Sequence, residues 1–129
     1  MSAWTGDELN RIGSAEEIQI ARQRPDGTLQ GRVTVWAVRH GDAIYIRSAV
    51  KGRNAAWYRS VEQTHRGRIR GGGVQQDVDF VDADDQVNDE VDSAYRSKYH
   101  RYAGRILNSC LTPEARSTTI RVMPHSTRS

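Results

Sequence analysis

The run Arg32-Val33-Thr34-Val35-Trp36-Ala37-Val38 constrains the fold more than any other part of the chain. It is apolar on both faces of an extended backbone, so it predicts a central strand covered from both sides. Gly41-Asp42 follows as tight-turn chemistry, and Ala43-Ile44-Tyr45-Ile46-Arg47-Ser48 reads as a strand returning alongside. On the N-terminal side, Ile18 and Ile20 alternate with polar neighbours. Pro25-Asp26-Gly27 then supplies a turn in which proline sets φ and glycine accepts φ > 0. The simplest connection of three such strands is an antiparallel meander. Two more strands are predicted at 66–71 and 74–81, joined by the corner Gly71-Gly72-Gly73, and another at 118–123.

Helices fall between these runs. Thr5 and Glu8 have capping-box spacing, which starts a short helix with Leu9 and Ile12 inward and Gly13 as a stop, and Ser14-Ala15-Glu16-Glu17 adds a further turn. Asn54 is an N-cap type before a helix over 55–64, with Trp57 and Val61 on one face. The clearest helical period joins Val87, Val91, Ala94, Tyr95, Lys98, Tyr99 and Tyr102, with acids early, cations late and Gly104 as a stop. Thr112-Pro113-Glu114 reads as an N-cap with proline at N1. Five or six antiparallel strands with interspersed helices predict the α+β class. Short strands with Gly-rich corners favour a closed or half-closed barrel. The 129 residues suit a single domain, 1–129.

Charge narrows the function classes. Nineteen basic residues against 16 acidic ones leave a surplus of only +3, with Arg66, Arg68 and Arg70 followed closely by Asp77, Asp79, Asp82, Asp84 and Asp85. Such interleaving predicts local sites and no nucleic-acid partner. No apolar run approaches the roughly 18 residues of a membrane span, so no membrane partner is expected. Met1-Ser2-Ala3-Trp4-Thr5 lacks a basic leader and an apolar core, and Cys110 has no second cysteine to pair with. Both point to a cytoplasmic location.

The chemistry-bearing residues sort quickly. His40, His65, His100 and His125 show no ligand-pair spacing, and Cys110 stands alone, so no metal is predicted. A nucleophile elbow is missing, and Gly71-Gly72-Gly73 lacks the spaced glycines and trailing lysine of a phosphate loop. The acidic run suits a solvated strand edge and a helix start better than a carboxylate pair. Tyr95, Lys98, Tyr99 and Tyr102 form a helical stripe that suits a core or dimer interface better than a catalytic tyrosine with an assisting lysine.

The best candidate is the stretch from Arg47 to Arg59. A strand end leads through the basic, Gly-containing loop Lys51-Gly52-Arg53-Asn54 into a helix N-terminus, with Trp57 and Tyr58 beside it. Free N–H groups, the positive dipole end and clustered cations are what a phosphate needs. A charged connector whose Trp57 plugs the barrel explains the same residues equally well.

At this loop the chain resembles the split-barrel flavin-binding superfamily, which includes pyridoxamine-phosphate oxidases and deazaflavin-dependent nitroreductases. In the deazaflavin-using branch a basic, Gly-containing loop holds the cofactor phosphates ahead of a Pro-x-Trp-Tyr-like helix start. Lys51-Gly52-Arg53-Asn54-Ala55-Ala56-Trp57-Tyr58 is the similar stretch, with Ala55 or Ala56 at the proline position. Along its whole length the chain resembles a bacterial family of uncharacterised split-barrel proteins, domain-of-unknown-function family 2255. Trp4-Thr5-Gly6-Asp7-Glu8-Leu9, Val35-Trp36-Ala37-Val38-Arg39, Tyr45-Ile46-Arg47-Ser48, Trp57-Tyr58-Arg59 and Ala94-Tyr95-Arg96-Ser97-Lys98-Tyr99 carry that resemblance. Both resemblances imply a split β-barrel with flanking helices; the flavin-binding superfamily further implies a homodimer and a small-molecule reductase or oxidase using FMN or a deazaflavin. Arg47, Ser48, Lys51, Gly52, Arg53 and Asn54 would hold the phosphate, and Trp57 and Tyr58 would line the site. Two other classes stay open: a non-redox ligand-binding or interaction protein on the same barrel, and a cofactor-free enzyme using the barrel mouth with Tyr95 or Asp77.

Overall fold

A computed structural model of the chain describes residues 4–24, 26–49, 51–102 and 104–125, so the predicted turn residue Pro25 and the loop residue Val50 lie outside the described residues. The strands are β1 (Ile18–Gln23), β2 (Leu29–Val35), β3 (Ala37–His40), β4 (Ala43–Ile46), β5 (Arg66–Gly71), β6 (Val74–Asp82) and β7 (Ile120–Pro124). The helices are α1 (Gly6–Ser14), α2 (Ala56–Thr64), α3 (Asn88–Lys98), α4 (Arg105–Asn108) and α5 (Pro113–Arg116). No helix among the described residues is long and apolar enough to cross a membrane.

Among the described residues, seven strands form one sheet in the order β2-β1-β5-β6-β7-β4-β3, and every neighbouring pair is antiparallel. The sheet edges are thus β2 and β3, yet only Trp36 separates those strands in the chain. Two peptide units reach at most about 7 Å, so the edges must approach each other and the sheet must curl. The fold is an α+β split barrel.

This geometry corrects the central strand expected over 32–38. The run divides at Trp36, and each half takes an edge. Its apolar character on both faces has a different cause. Val35 and Ala37 join the barrel interior, while Val38 and Trp36 join a second cluster under the outer helices. The expected hairpins β1–β2 and β3–β4 do form, but at opposite ends of the strand order rather than as one meander. The sheet also has one strand more than the upper count expected from the sequence.

Two apolar layers hold the fold. Inside the barrel, Ile18, Ile20, Ile44, Ile46, Ile69, Val78, Phe80, Ile120 and Val122 pack together, closed over by Leu9 and Ile12 of α1 and Tyr58 and Val61 of α2. Outside, Ala43 and Tyr45 of β4 meet Val91, Tyr95, Tyr99, Leu107 and Cys110. Period-two alternation sends Ile44 and Ile46 inward and their neighbours outward, which is why every residue of β4 is buried.

The helix boundaries follow their caps. The Thr5–Glu8 capping box is complete: the Glu8 N–H donates to Thr5 Oγ1 at 3.1 Å, and the Thr5 N–H donates to Glu8 Oε1 at 2.9 Å. Gly13 does not stop α1, which runs to Ser14; no further turn forms over 15–17, because the chain extends there into β1. At α5 the Ala115 N–H donates to Thr112 Oγ1 at 3.1 Å, with Pro113 opening the helix as expected. At α2 the expectation fails: Asn54 lies inside a 3-10 turn, Gly52–Asn54, and Ala55 occupies the N-cap with no side-chain hydrogen bond. α3 ends at Lys98, and Tyr102 belongs to a separate 3-10 turn, His100–Tyr102.

Candidate functional site

The site begins where β4 ends. The Arg47 side chain enters the outer helical layer and is fully buried. Its Nε donates to Thr119 Oγ1 at 2.9 Å. Its Nη1 donates to Asp92 Oδ1 at 2.5 Å and to the Cys110 carbonyl at 2.8 Å. Its Nη2 donates to the Asn88 carbonyl and Oδ1, each at 3.2 Å. These bonds use every N–H a guanidinium has. Asp92 is also 3.4 Å from Arg116 Nε, and Arg116 Nη2 donates to Asp89 at 2.7 Å. Arg47 thus fastens β4 to α3 and to the chain on either side of α5, and it has no donor left for a ligand.

The loop beyond it is built in steps. The buried Ser48 donates its backbone N–H to Thr118 Oγ1 at 2.9 Å. Gly52 has φ +51, and a Cβ there would lie 2.4 Å from Glu114 Cγ, so α5 packs directly against the turn. Arg53 Nε donates to Ser117 Oγ at 3.2 Å, while Asn54 is exposed. Lys51 is exposed and has no ion pair among the described residues.

A cleft of about 600 Å³ opens beside this loop. Arg47, Ser48, Lys51 and Trp57 line it, together with the α2 start at Ala55 and Ala56. Gly52, Arg53, Asn54 and Tyr58 are not among its lining residues. Tyr58 turns into the barrel core instead, edge-on to Trp57 at 6.1 Å. Tyr95, named from the sequence as a site residue only for the cofactor-free alternative, also lines the cleft. Sequence reasoning missed the remaining lining residues, Glu17, Val33 to Trp36, Ile106, Ser109 and Cys110. These residues are far apart in the chain, and the tertiary fold brings them together. A hydrophobic lining with few polar groups, at this volume, is typical of a small-molecule site.

Two buried groups form the cleft floor. Tyr95 Oη donates to the Trp36 carbonyl at 3.0 Å, and burial holds its phenol well above the usual range, so it is a neutral donor. The Arg47 guanidinium carbon lies 5.4 Å from the Tyr95 ring centroid. Burial likewise pushes the Cys110 thiol up, only partly offset by Ser109 and the Arg47 charge, so it is no thiolate near neutral pH.

The stripe on α3 is structural. Tyr99 stacks on Trp36 at 4.0 Å, and Lys98 Nζ donates to the Ala37 carbonyl, whereas Tyr95 faces the cleft. Burial lowers the Lys98 ammonium from 10.5 to about 8, against the opposing pull of Glu16. The native state therefore releases this proton near pH 8, while the unfolded chain keeps it until near 10.5. The unfolded state binds more protons in between, so this group makes stability rise with pH across that window. Urea unfolding of wild type and Lys98→Met at steps from pH 7.5 to 10 isolates the effect: the stability difference is expected to move in favour of wild type. A flat difference would remove the burial penalty from the account.

The acidic run is engaged elsewhere. Asp77 pairs with Arg68 at 2.8 Å across β5 and β6, and Asp79 lies 3.6 Å from Arg66 and 3.0 Å from His125. Among the described residues there is no group of three or more His, Cys, Asp or Glu side chains that could hold a metal.

The family model described as "Uncharacterized protein conserved in bacteria (DUF2255)" matches residues 8–122, from α1 to β7. The chain belongs to that family. No curated protein matches it. Solved structures do. Conserved hypothetical protein Rv2991 from Mycobacterium tuberculosis has TM-score 0.56 and 14% identity, covering 98% of this chain and 83% of that one. A FAD-binding protein from Mesorhizobium loti has TM-score 0.54 and 11% identity, covering 98% and 92%. A protein described as an F420 reductase has TM-score 0.50 and 18% identity, covering 92% of each chain. At such identities these neighbours share the family member's fold, and the curled sheet with its flanking helices is that fold.

Proposed function

We propose that this protein binds a flavin-type cofactor, FMN or a deazaflavin, in the cleft, and that it serves as a reductase or oxidase of a small molecule. One observation carries the reading. The cleft has apolar walls and two indoles, and its unpaired cation, Lys51, sits beside the uncapped start of α2. That helix end supplies roughly half a positive charge and N–H groups that no side chain takes. A flat ring system with a phosphate tail fits such a site. The FAD-binding protein and the F420 reductase on the same fold support the reading.

When bound, the cofactor supplies the hydride or electron transfer. The chain positions it. Lys51 and the first N–H groups of α2 hold the phosphate, with Ser48 on the same wall and Arg53 as a nearby cation. Trp57, Val33 and Val35 flank the ring and exclude water. Arg47 acts through the fold, holding Tyr95 and the Cys110 backbone at the cleft floor. The low apolar fraction, 36%, and the exposed Ile106 at the cleft support assembly as a homodimer.

Lys51→Ala is expected to cost about 1–3 kcal/mol of affinity for FMN or a deazaflavin, the range of charge-assisted hydrogen bonds. Arg53→Ala is expected to cost less, and neither should alter stability by more than about 0.5 kcal/mol. Calorimetric titration of wild type and variants gives these numbers. If wild type binds neither cofactor up to about a millimolar, where binding free energy falls to about 4 kcal/mol, the reading is abandoned in favour of a non-redox ligand. Light scattering that returns a monomer mass at micromolar concentration removes the dimer.

A further inference from the structure

The cleft read above as a cofactor site contains a second unpaired charge. Glu17, immediately before β1, lines it together with Trp36, which stacks on Tyr99, and its charge acts on the Tyr99 phenol. Among the described residues Glu17 makes no hydrogen bond or ion pair. Its neighbour Glu16 is engaged, its carboxylate accepting from Arg101 and Tyr102. The other charges on the cleft lining are Arg47, whose donors are all used, and Lys51 at the α2 end. Among the described residues the cleft therefore offers one cation and one carboxylate without an ion pair, on different elements, with Val35 and the indoles of Trp36 and Trp57 also on its walls.

We infer that Glu17 selects for positive charge: the small molecule that shares the cleft with the cofactor carries an amine or similar organic cation. The inference rests on the cofactor reading, because a phosphate held at Lys51 leaves Glu17 as the free charge for a second ligand. A carboxylate beside indole rings recognises an ammonium twice, by charge-assisted hydrogen bonding and by cation–π attraction. A neutral or anionic molecule of the same shape gains neither, and an anion is repelled.

Benzylamine and benzyl alcohol have nearly the same shape and differ in charge, which makes them suitable probes. Calorimetric titration of the full chain at low salt, with and without saturating FMN, is expected to show benzylamine binding about two- to fivefold more tightly, the range for an exposed ion pair. Glu17→Asp should keep part of this preference and Glu17→Gln should erase it, with the melting temperature of each variant near that of wild type. Equal affinities in wild type, no measurable benzylamine binding, or a preference that survives Glu17→Gln each overturn the inference. Its failure is separable from that of the cofactor reading. FMN binding without an amine preference sinks the inference alone, whereas an amine preference that needs Glu17 in a chain that ignores FMN sinks the cofactor and leaves a cation site.

Discussion

Arg47→Met is expected to destabilise the protein by about 3–5 kcal/mol in urea unfolding, the cost of breaking a buried ion pair by removing one partner. The methionine fills much of the volume but leaves Asp92 with only the 3.4 Å contact to Arg116, and it leaves the Cys110 and Asn88 carbonyls without their donor. With total stabilities of about 5–15 kcal/mol, such a loss is a large fraction of the whole. Arg47→Met combined with Asp92→Leu should recover part of it, since an apolar pair no longer contains a stranded charge. A loss below about 1 kcal/mol in the single variant would show that the guanidinium does not join these elements.

Tyr95→Ala is the second large effect, about 3–5 kcal/mol, as for other buried aromatic residues cut back to alanine. The ring is completely buried against β3 and β4 where it lines the cleft, so the gap cannot fill without moving α3. Tyr95→Phe keeps the ring and removes only the donor to the Trp36 carbonyl, which should cost about 1–3 kcal/mol because that acceptor then lacks its partner. The difference between the two variants separates packing from hydrogen bonding. If both cost the same, the ring contributes nothing and the outer layer is not a core.

These residues also show where sequence reasoning stops. Local rules succeeded where the physics is local: the Thr5–Glu8 box, the Thr112-Pro113 start of α5, and the hairpin closing at Gly41-Asp42 all depend on groups within a few residues of each other. The division at Trp36 was not legible, because an apolar residue facing a barrel interior and one facing an outer helix look alike in a pattern. The N-cap of α2 was misplaced because the Gly52 turn, packed on Glu114 from a distant helix, sets where the chain enters the helix. Arg47 illustrates the limit best. A cation near a candidate phosphate loop has the same chemistry whether exposed or buried, and its partner Asp92 is 45 residues away. The loop was found as a candidate site, but most of the remaining cleft lining was assembled by the tertiary fold.

The place of β7 bears on how the chain is made. It lies between β6 and β4 in the sheet, yet it follows both in the chain. Until residues 120–124 are made, β2-β1-β5-β6 and β3-β4 are linked through the chain at Trp36 and not by strand pairing, and β6 and β4 each keep one strand edge without its partner. Those two edges are the sites at which neighbouring nascent copies would adhere, and the arrival of residues 120–124 seals both at once.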